Sequence, residues 1–365
     1  GYSVGYEGTI LKTTNKGSNW IRQNSGTLNN LNSVYFIDQN TGYAVGDTGL
    51  IIKTTNAGVN WSQLSSGITN NINSIIFVND NFGIAAADSG KIVKTTNGGL
   101  NWQSQNVLTT PGSLKSVDFL NLNTGVVVGE AGRMSRTTDA GVSWTQQIIV
   151  GTGFNSIDFA DSLNCYAAGT NGRLFKSTDQ GLNWVQQISS TTEFLYSVKT
   201  LSSNNAIVVG RNGAVIRTTD GGTSWIKQPR FTNYTFYSVA ILNQNEAIAC
   251  GEFGIILKTS NAGLVSVKSD NTIVADNYNL ISVYPNPFNP ATKISYRILK
   301  TSNVSIKIFD IKGREIKELV NSKQSSGNYE LTFDSGSGNL STGIYFVTLI
   351  INGDLTDSKK IILLK

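Results

Sequence analysis

Histidine is absent from the 365 residues. Its absence removes Ser-His-Asp and Cys-His nucleophile systems, histidine general bases and histidine-ligated metals together. Cysteine is nearly absent too: Cys165 and Cys250 are the two in the chain, they stand at different offsets of non-adjacent repeats, and no disulfide is expected between them. Both read as small buried apolar residues. No run of 18 or more apolar residues occurs, so no helical membrane span is expected. The net charge of +5 is spread along the chain without a concentrated basic stripe, which argues against nucleic acid as a partner. Proline is scarce, and three of the five prolines crowd into positions 285–290. A Walker-type loop, a clustered Cys ligand set and a calcium loop are all missing, so no cofactor or metal is expected.

What the chain does have is a repeat. All six tryptophans, Trp20, Trp61, Trp102, Trp144, Trp184 and Trp225, are separated by 41, 41, 42, 40 and 41 residues. Each closes a turn of the form Thr/Ser-x-(Asn/Asp)-x-Gly-x-x-Trp, with Asn15, Asn56, Asn97, Asp139, Asp179 and Asp220 in the third place. A seventh copy, at Asn261, has Ser266 where tryptophan would stand, and terminal repeats are often atypical. Around the turn lie four short stretches rich in branched residues and bounded by Asn, Asp, Gly or Ser. Ile72–Phe77, Gly83–Ala87, Lys91–Thr95 and 102–105 show the unit, and none has a helical period. Four strands per 40 to 45 residues, repeated about seven times, predict an all-β, seven-bladed β-propeller with four-stranded blades over residues 1–266.

First strands are expected to begin near Leu31, Ile72, Leu114, Phe154, Leu195 and Phe236. Gly1 falls in the middle of a unit. The first strand of blade one, and any export signal, are therefore expected upstream of it, with the other end of the chain as a second source of that strand. The Asn/Asp-Gly-Trp turn reads as structural: Asn or Asp bonds its own backbone, Gly takes positive φ, and tryptophan carries apolar area into the blade contacts. Lys12, Lys53, Lys94, Arg136, Lys176, Arg217 and Lys258 precede it in every blade. They are expected to pack aliphatic stems across a blade edge with their heads in water.

The turn resembles the Asp-box, or bacterial neuraminidase repeat. The longer run Gly-Tyr-Ala-Val-Gly-Asp-Thr-Gly-Leu-Ile-Ile-Lys-Thr-Thr-Asn-Ala-Gly-Val-Asn-Trp at 42–61 is similar to the propeller of photosystem II assembly and stability factors. In such a propeller the box turns point to one face and the second-to-third-strand turns to the other, where ligands usually bind. The latter turn is Gly-x-x-Gly in most blades. Its variable sites hold Asp47, Asp88, Glu130, Arg211 and Glu252, and Lys91, Arg133 and Arg173 follow the second Gly in three consecutive blades. These eight residues are the ligand-binding candidates, an arc of cations beside an arc of carboxylates. The sialidase resemblance makes Asp47, Asp88 and Glu130 glycosidase candidates by position alone. The even spacing leaves little material for walls around a substrate, so no catalytic residue is assigned.

After a polar linker at 267–280 the repeat is gone. Period-two stretches over 281–365 predict a small antiparallel, immunoglobulin-like sandwich. Tyr284-Pro285-Asn286-Pro287-Phe288-Asn289-Pro290, the turn at Gly313, Ser341-Thr342-Gly343-Ile344-Tyr345 and the terminal Lys359-Lys360-Ile361-Ile362-Leu363-Leu364-Lys365 together resemble the C-terminal sorting domain of the type IX secretion system of Bacteroidetes and relatives. The resemblance implies passage through the outer membrane, recognition of residues 281–365 by the secretion machinery, and a secreted or surface-bound product. From the propeller resemblance the fold and the idea of protein binding are carried over, while the extracellular setting that the tail implies leaves the photosynthetic partner behind. The expected function is non-catalytic binding of a protein or polysaccharide on the face opposite the box turns. An extracellular sialidase-like hydrolase and a structural surface-layer spacer are the alternatives.

Overall fold

The computed structural model describes residues 1–259 other than 111 and 231, and residues 273–274, 279–298, 301–311, 313–336 and 340–364. Asn261 and most of the linker lie outside these. Contacts divide the chain into two units, Gly1–Ile273 and Val274–Lys365.

The first unit is built of seven antiparallel sheets, each running through its strands in sequence order. First strands begin at Leu31, Ile72, Leu114, Phe154, Leu195 and Phe236. The sheet nearest the start has three strands, Tyr2–Val4, Ile10–Lys12 and Ile21–Gln23. Among the described residues nothing pairs with the other edge of Tyr2–Val4. The seventh sheet adds Ile273–Val274 to Phe236–Ile241, Ala247–Gly251 and Ile255–Thr259.

Second strands such as Gly83–Ala87 are buried at every residue, because a blade covers each of their faces. This accounts for their continuous small and apolar composition. First strands are innermost and tie blade to blade: the Oγ of Ser33, Ser74, Ser116, Ser156 and Ser197 accepts the N–H of Ile75, Val117, Ile157, Val198 and Val239 at 3.1–3.4 Å. Each first strand also carries a bulge just before its serine position, as between Ile72 and Ser74. The bulge drops one residue from the ladder and re-aims its side chain.

Apolar packing between blades follows one scheme. Tyr43 of blade two stacks on Phe77 of blade three at 4.2 Å, and Phe77 meets Trp102 edge-on at 6.0 Å. Tyr2, Phe36 and Trp61 repeat the arrangement one blade earlier. Phe77 lies so close over Gly83 that a Cβ there would sit 2.6 Å from the ring, and Phe36 over Gly42 and Phe119 over Gly125 are as close, which is why these three units open their second strand with glycine. The ring meets itself where Lys16 pairs with Glu246 at 4.0 Å and Ile248 packs on Gly17.

The second unit packs a three-stranded sheet, Asn279–Tyr284, Ala291–Ile298 and Gly327–Asp334, with a four-stranded one, Glu315–Gln324, Ser302–Asp310, Gly343–Ile351 and Asp354–Leu363. Ile294, Tyr296, Ile298, Val304, Ile306, Ile308, Val347 and Leu349 alternate inward to form its core around Phe288 and Phe333, the period-two pattern of a two-sheet sandwich.

Candidate functional site

The box turns are latched by their own side chains. The Thr95 hydroxyl accepts the N–H groups of Asn97 and Gly99 at 3.3 and 2.9 Å and donates to Asn97 Oδ1, which accepts the Asn101 N–H at 3.0 Å. The same bonds recur around Asn15, Asn56, Asp139, Asp179 and Asp220. Hydrogen bonds from Ser143 and Ser224 hold the Asp139 and Asp220 carboxyls down at about 2. The tryptophans serve through area: the indole N–H of Trp20, Trp61, Trp102, Trp144 and Trp225 finds no acceptor, and that of Trp184 reaches Gly181 O at 3.1 Å.

The recurring cations before the turn differ from the solvated heads expected of them. Lys12 Nζ donates to Ala57 O at 2.7 Å, Lys53 to Gly98 O at 2.9 Å, Arg136 Nε to Gln180 O at 2.9 Å and Lys176 to Gly221 O at 2.7 Å. Each acceptor is a carbonyl of the next blade's box. Lys53 also lies over the Tyr43 ring at 5.1 Å, and the Tyr43 hydroxyl donates to the same Gly98 carbonyl. The left-handed box turn aims its carbonyls sideways, and the cation satisfies them, joined by the Tyr43 hydroxyl at Gly98 and by the Tyr2 hydroxyl at Ala57.

On the opposite face each second-to-third-strand turn is a single 3-10 turn with its middle residue left-handed, as at Ser89 and Asn171. The candidate carboxylates are engaged by their own chain through the bulge residues. Asn30 and Asn32 donate to Asp47 at 2.8 and 3.2 Å, and Asn73 donates to Asp88 at 2.9 Å. Lys115 lies 3.1 Å from Glu130 and 4.0 Å from Asp88. Glu252 accepts the Thr235 N–H at 2.9 Å and the Tyr237 hydroxyl at 3.5 Å.

The cations are held more loosely. Lys91 bonds Asn70 at 3.0 Å, Arg133 bonds Thr110 at 3.3 Å, Arg173 bonds Gln186 at 3.3 Å, and Arg211 lies over Phe194. Arg133 Nε is buried with no acceptor. Lys91 and Arg133 therefore reach across to the connectors between blades, and Arg173 to the outer strand of its own blade, rather than toward the carboxylates. Beside Arg173 opens a cleft of about 670 Å³ between blades five and six, lined also by Gln186, Ile188, Glu193 and Lys227.

A second polar cluster went unseen in the sequence. The fifth residue of the first strands is Tyr35, Asp118, Asp158 and Lys199 in blades two, four, five and six. Asp118 accepts the N–H of Phe119 at 2.9 Å and of Phe159 in the next blade at 2.7 Å. Asp158 takes the Lys199 ammonium and the Thr200 N–H and hydroxyl. Burial, with Asp158 close by, pushes the Asp118 carboxyl up to about 7. The Asp158 and Asp118 carboxyls raise the pKa of the Lys199 ammonium. The available signal was the break in repeat symmetry, since this position is apolar at Ile76 and Ala240.

In the sandwich, the first and last motifs of the tail meet. Asn286 Nδ2 donates to Lys360 O at 2.8 Å, and its Oδ1 accepts the Ile362 N–H at 2.9 Å. Phe288 bonds Ile362 and Leu364 through its backbone. The N–H and Nε of Arg314 both donate to Asp310 across the turn at Gly313, which takes φ 76°. Gly343 starts the strand preceding the Lys359–Lys360 strand, and Tyr284 is exposed. No helix among the described residues is long and apolar enough to cross a membrane.

Comparison with known proteins matches each unit separately. Residues 282–364 match the secretion system C-terminal sorting domain, and residues 53–152 match the photosynthesis system II assembly factor YCF48 family. Among curated proteins none matches. Solved structures with the same fold include YCF48 bound to a D1 peptide, at 19% identity and TM-score 0.61, covering 71% of this chain and 87% of the other. YCF48 from Cyanidioschyzon merolae aligns at 17% identity and TM-score 0.60, covering 72% and 92%. The WD40 β-propeller domain of Doa1 aligns at 14% identity and TM-score 0.58, covering 74% and 90%. At these identities the likeness is one of fold.

Proposed function

From a chain that joins a YCF48-like Asp-box propeller to a type IX sorting domain, and is thereby marked for export to the medium or the outer cell surface, we propose a non-catalytic binding protein. Its propeller holds a protein or polysaccharide on the face opposite the box turns, and residues 281–365 are the part the secretion machinery reads. The observation that carries this reading is the division of labour on that face. Asp47, Asp88, Glu130 and Glu252 are bonded within their own blades or to the next, whereas Lys91, Arg133 and Arg173, in three consecutive blades, keep donors to spare.

The test is capture of the producing cell's own surface polysaccharide and surface proteins by the purified chain. Arg133→Ala combined with Arg173→Ala should abolish capture and leave the melting temperature unchanged. Equal capture by the double variant would sink the reading. So would turnover on a panel of glycans that disappears in Asp88→Asn or Glu130→Gln.

A further inference from the structure

The geometry points to the cleft between blades five and six as a docking site for an extended acidic peptide, a proposal that rests on the binding reading above and specifies its partner. Three features of the cleft select that occupant. The first is charge. Arg173 and Lys227 stand on its two sides, while its one carboxylate, Glu193, is already taken by Arg230 at 3.2 Å and Asn212 at 3.0 Å. The cleft therefore presents net positive charge to whatever enters.

The second is backbone. Gln186 and Gln187 belong to Val185–Gln187, the outermost strand of blade five, which among the described residues pairs on one side only, with Leu174–Ser177. A free strand edge offers N–H and C=O groups in the repeat that a polypeptide matches and a sugar does not. The third is an apolar contact: Ile188, at the end of that strand, is 86% exposed.

The wall is also preorganised. The Ser189 hydroxyl donates to Gly172 O and Thr191 O, and the Ser190 hydroxyl donates to Trp225 O of the next blade at 3.1 Å. Ser190 holds φ 59°, where the corresponding connectors have Gly26 and Gly67 at φ 73°. A side chain is thus kept at a backbone position that favours glycine, and its hydroxyl fixes the connector to the next blade.

In this arrangement the peptide adds to the Val185–Gln187 edge. Alternate side chains face opposite ways, so carboxylates reach Arg173 and Lys227 while apolar neighbours cover Ile188. The probe is a labelled eight-residue peptide of alternating Glu and Val, followed by anisotropy with the intact chain. Saturable binding that weakens with salt is expected. Lys227→Glu and Ile188→Glu, both at exposed positions, should each weaken it about tenfold or more, equivalent to about 1.4 kcal/mol, with unchanged melting temperature. The matching Lys-Val peptide should not bind. Undiminished binding to Lys227→Glu overturns the proposal. Loss in Arg133→Ala but not in Lys227→Glu overturns the cleft while sparing the wider face. Binding of a sulfated polysaccharide but not of the peptide likewise removes the peptide and leaves the binding reading standing. Failure to capture peptide, polysaccharide or any surface protein fails both.

Discussion

Replacing Thr95 by valine should unlatch one box turn while leaving its packing intact. The two side chains are nearly the same shape, so the change isolates the hydroxyl. That hydroxyl is buried, with Thr95 1% exposed, and it holds three bonds: it accepts from Gly99 at 2.9 Å and from Asn97 at 3.3 Å, and donates to Asn97 Oδ1 at 2.9 Å. Valine leaves the Gly99 N–H buried without an acceptor, at about 1–3 kcal/mol. Loosening of the Asn97 side chain adds roughly 0.5 kcal/mol. The expected loss is about 1.5–3.5 kcal/mol, a fall of roughly 3–14 °C in the propeller's melting temperature. All six tryptophans lie in the propeller, so urea unfolding followed by their fluorescence reads this unit alone, and the slope with denaturant should not change. Thr95→Ser keeps the hydroxyl and loses one methyl, about 1 kcal/mol; blade five already uses Ser177 in this role. If valine is as stable as threonine, or serine as damaging as valine, the latch is not what holds the turn.

Lys53→Met keeps the aliphatic stem but strips the Gly98 carbonyl of its charged donor, and should cost about 1–2 kcal/mol in the same assay; no change would return the side chain to the status of a solvated head. The Asp118 carboxyl, raised to about 7 in the fold by burial and by Asp158, binds its proton more tightly folded than unfolded. Its contribution is therefore complete at acid pH and is lost as pH rises through about 7. The propeller's melting temperature should drop between pH 5 and 8, and Asp118→Asn should flatten that drop. The groups facing Asp118 are Asp158, Lys199 and Tyr35, and the low-lying Asp139 and Asp220 titrate outside this window. An identical slope in the variant would show that another group is responsible.

The blade plan was legible because it is a local matter. The spacing of the tryptophans, the Asn/Asp-Gly turns and the branched runs placed the six first strands at the residues where they begin, from Leu31 to Phe236. The tail was legible because alternation along Thr292–Ile298 and Val304–Ile308 is a direct print of a sheet with one face buried. What stayed hidden lies between blades. The partner of Lys53 is a carbonyl 45 residues away, and composition says nothing about where a left-handed turn points its oxygens. Asp88 looked free because its partners, Asn73 and Lys115, are aimed by bulges that only the register reveals. The cluster of Tyr35, Asp118, Asp158 and Lys199 needed four blades laid side by side. Each residue alone is one more polar position in a strand. Arg133 and Arg173 could be named from their recurrence, but the cleft beside Arg173 depends on a connector, 188–193, whose sequence departs from its counterparts.

The bonds between blades have a direction. Ser33, Ser74, Ser116, Ser156 and Ser197 each accept from the blade after them, and Lys12, Lys53, Lys94, Arg136 and Lys176 each donate to the blade after them. A blade thus presents one kind of surface forward and its complement behind, like a tile with a tongue on one side and a groove on the other. Any stretch of about 41 residues, wherever its ends are chosen, contains one full set of both. An in-frame duplication or deletion of one such stretch within blades two to five would leave these junctions chemically matched. The limit on such a change is the angle at which the ring closes, and a protein built this way can gain or lose whole units while single residues at the junctions stay fixed.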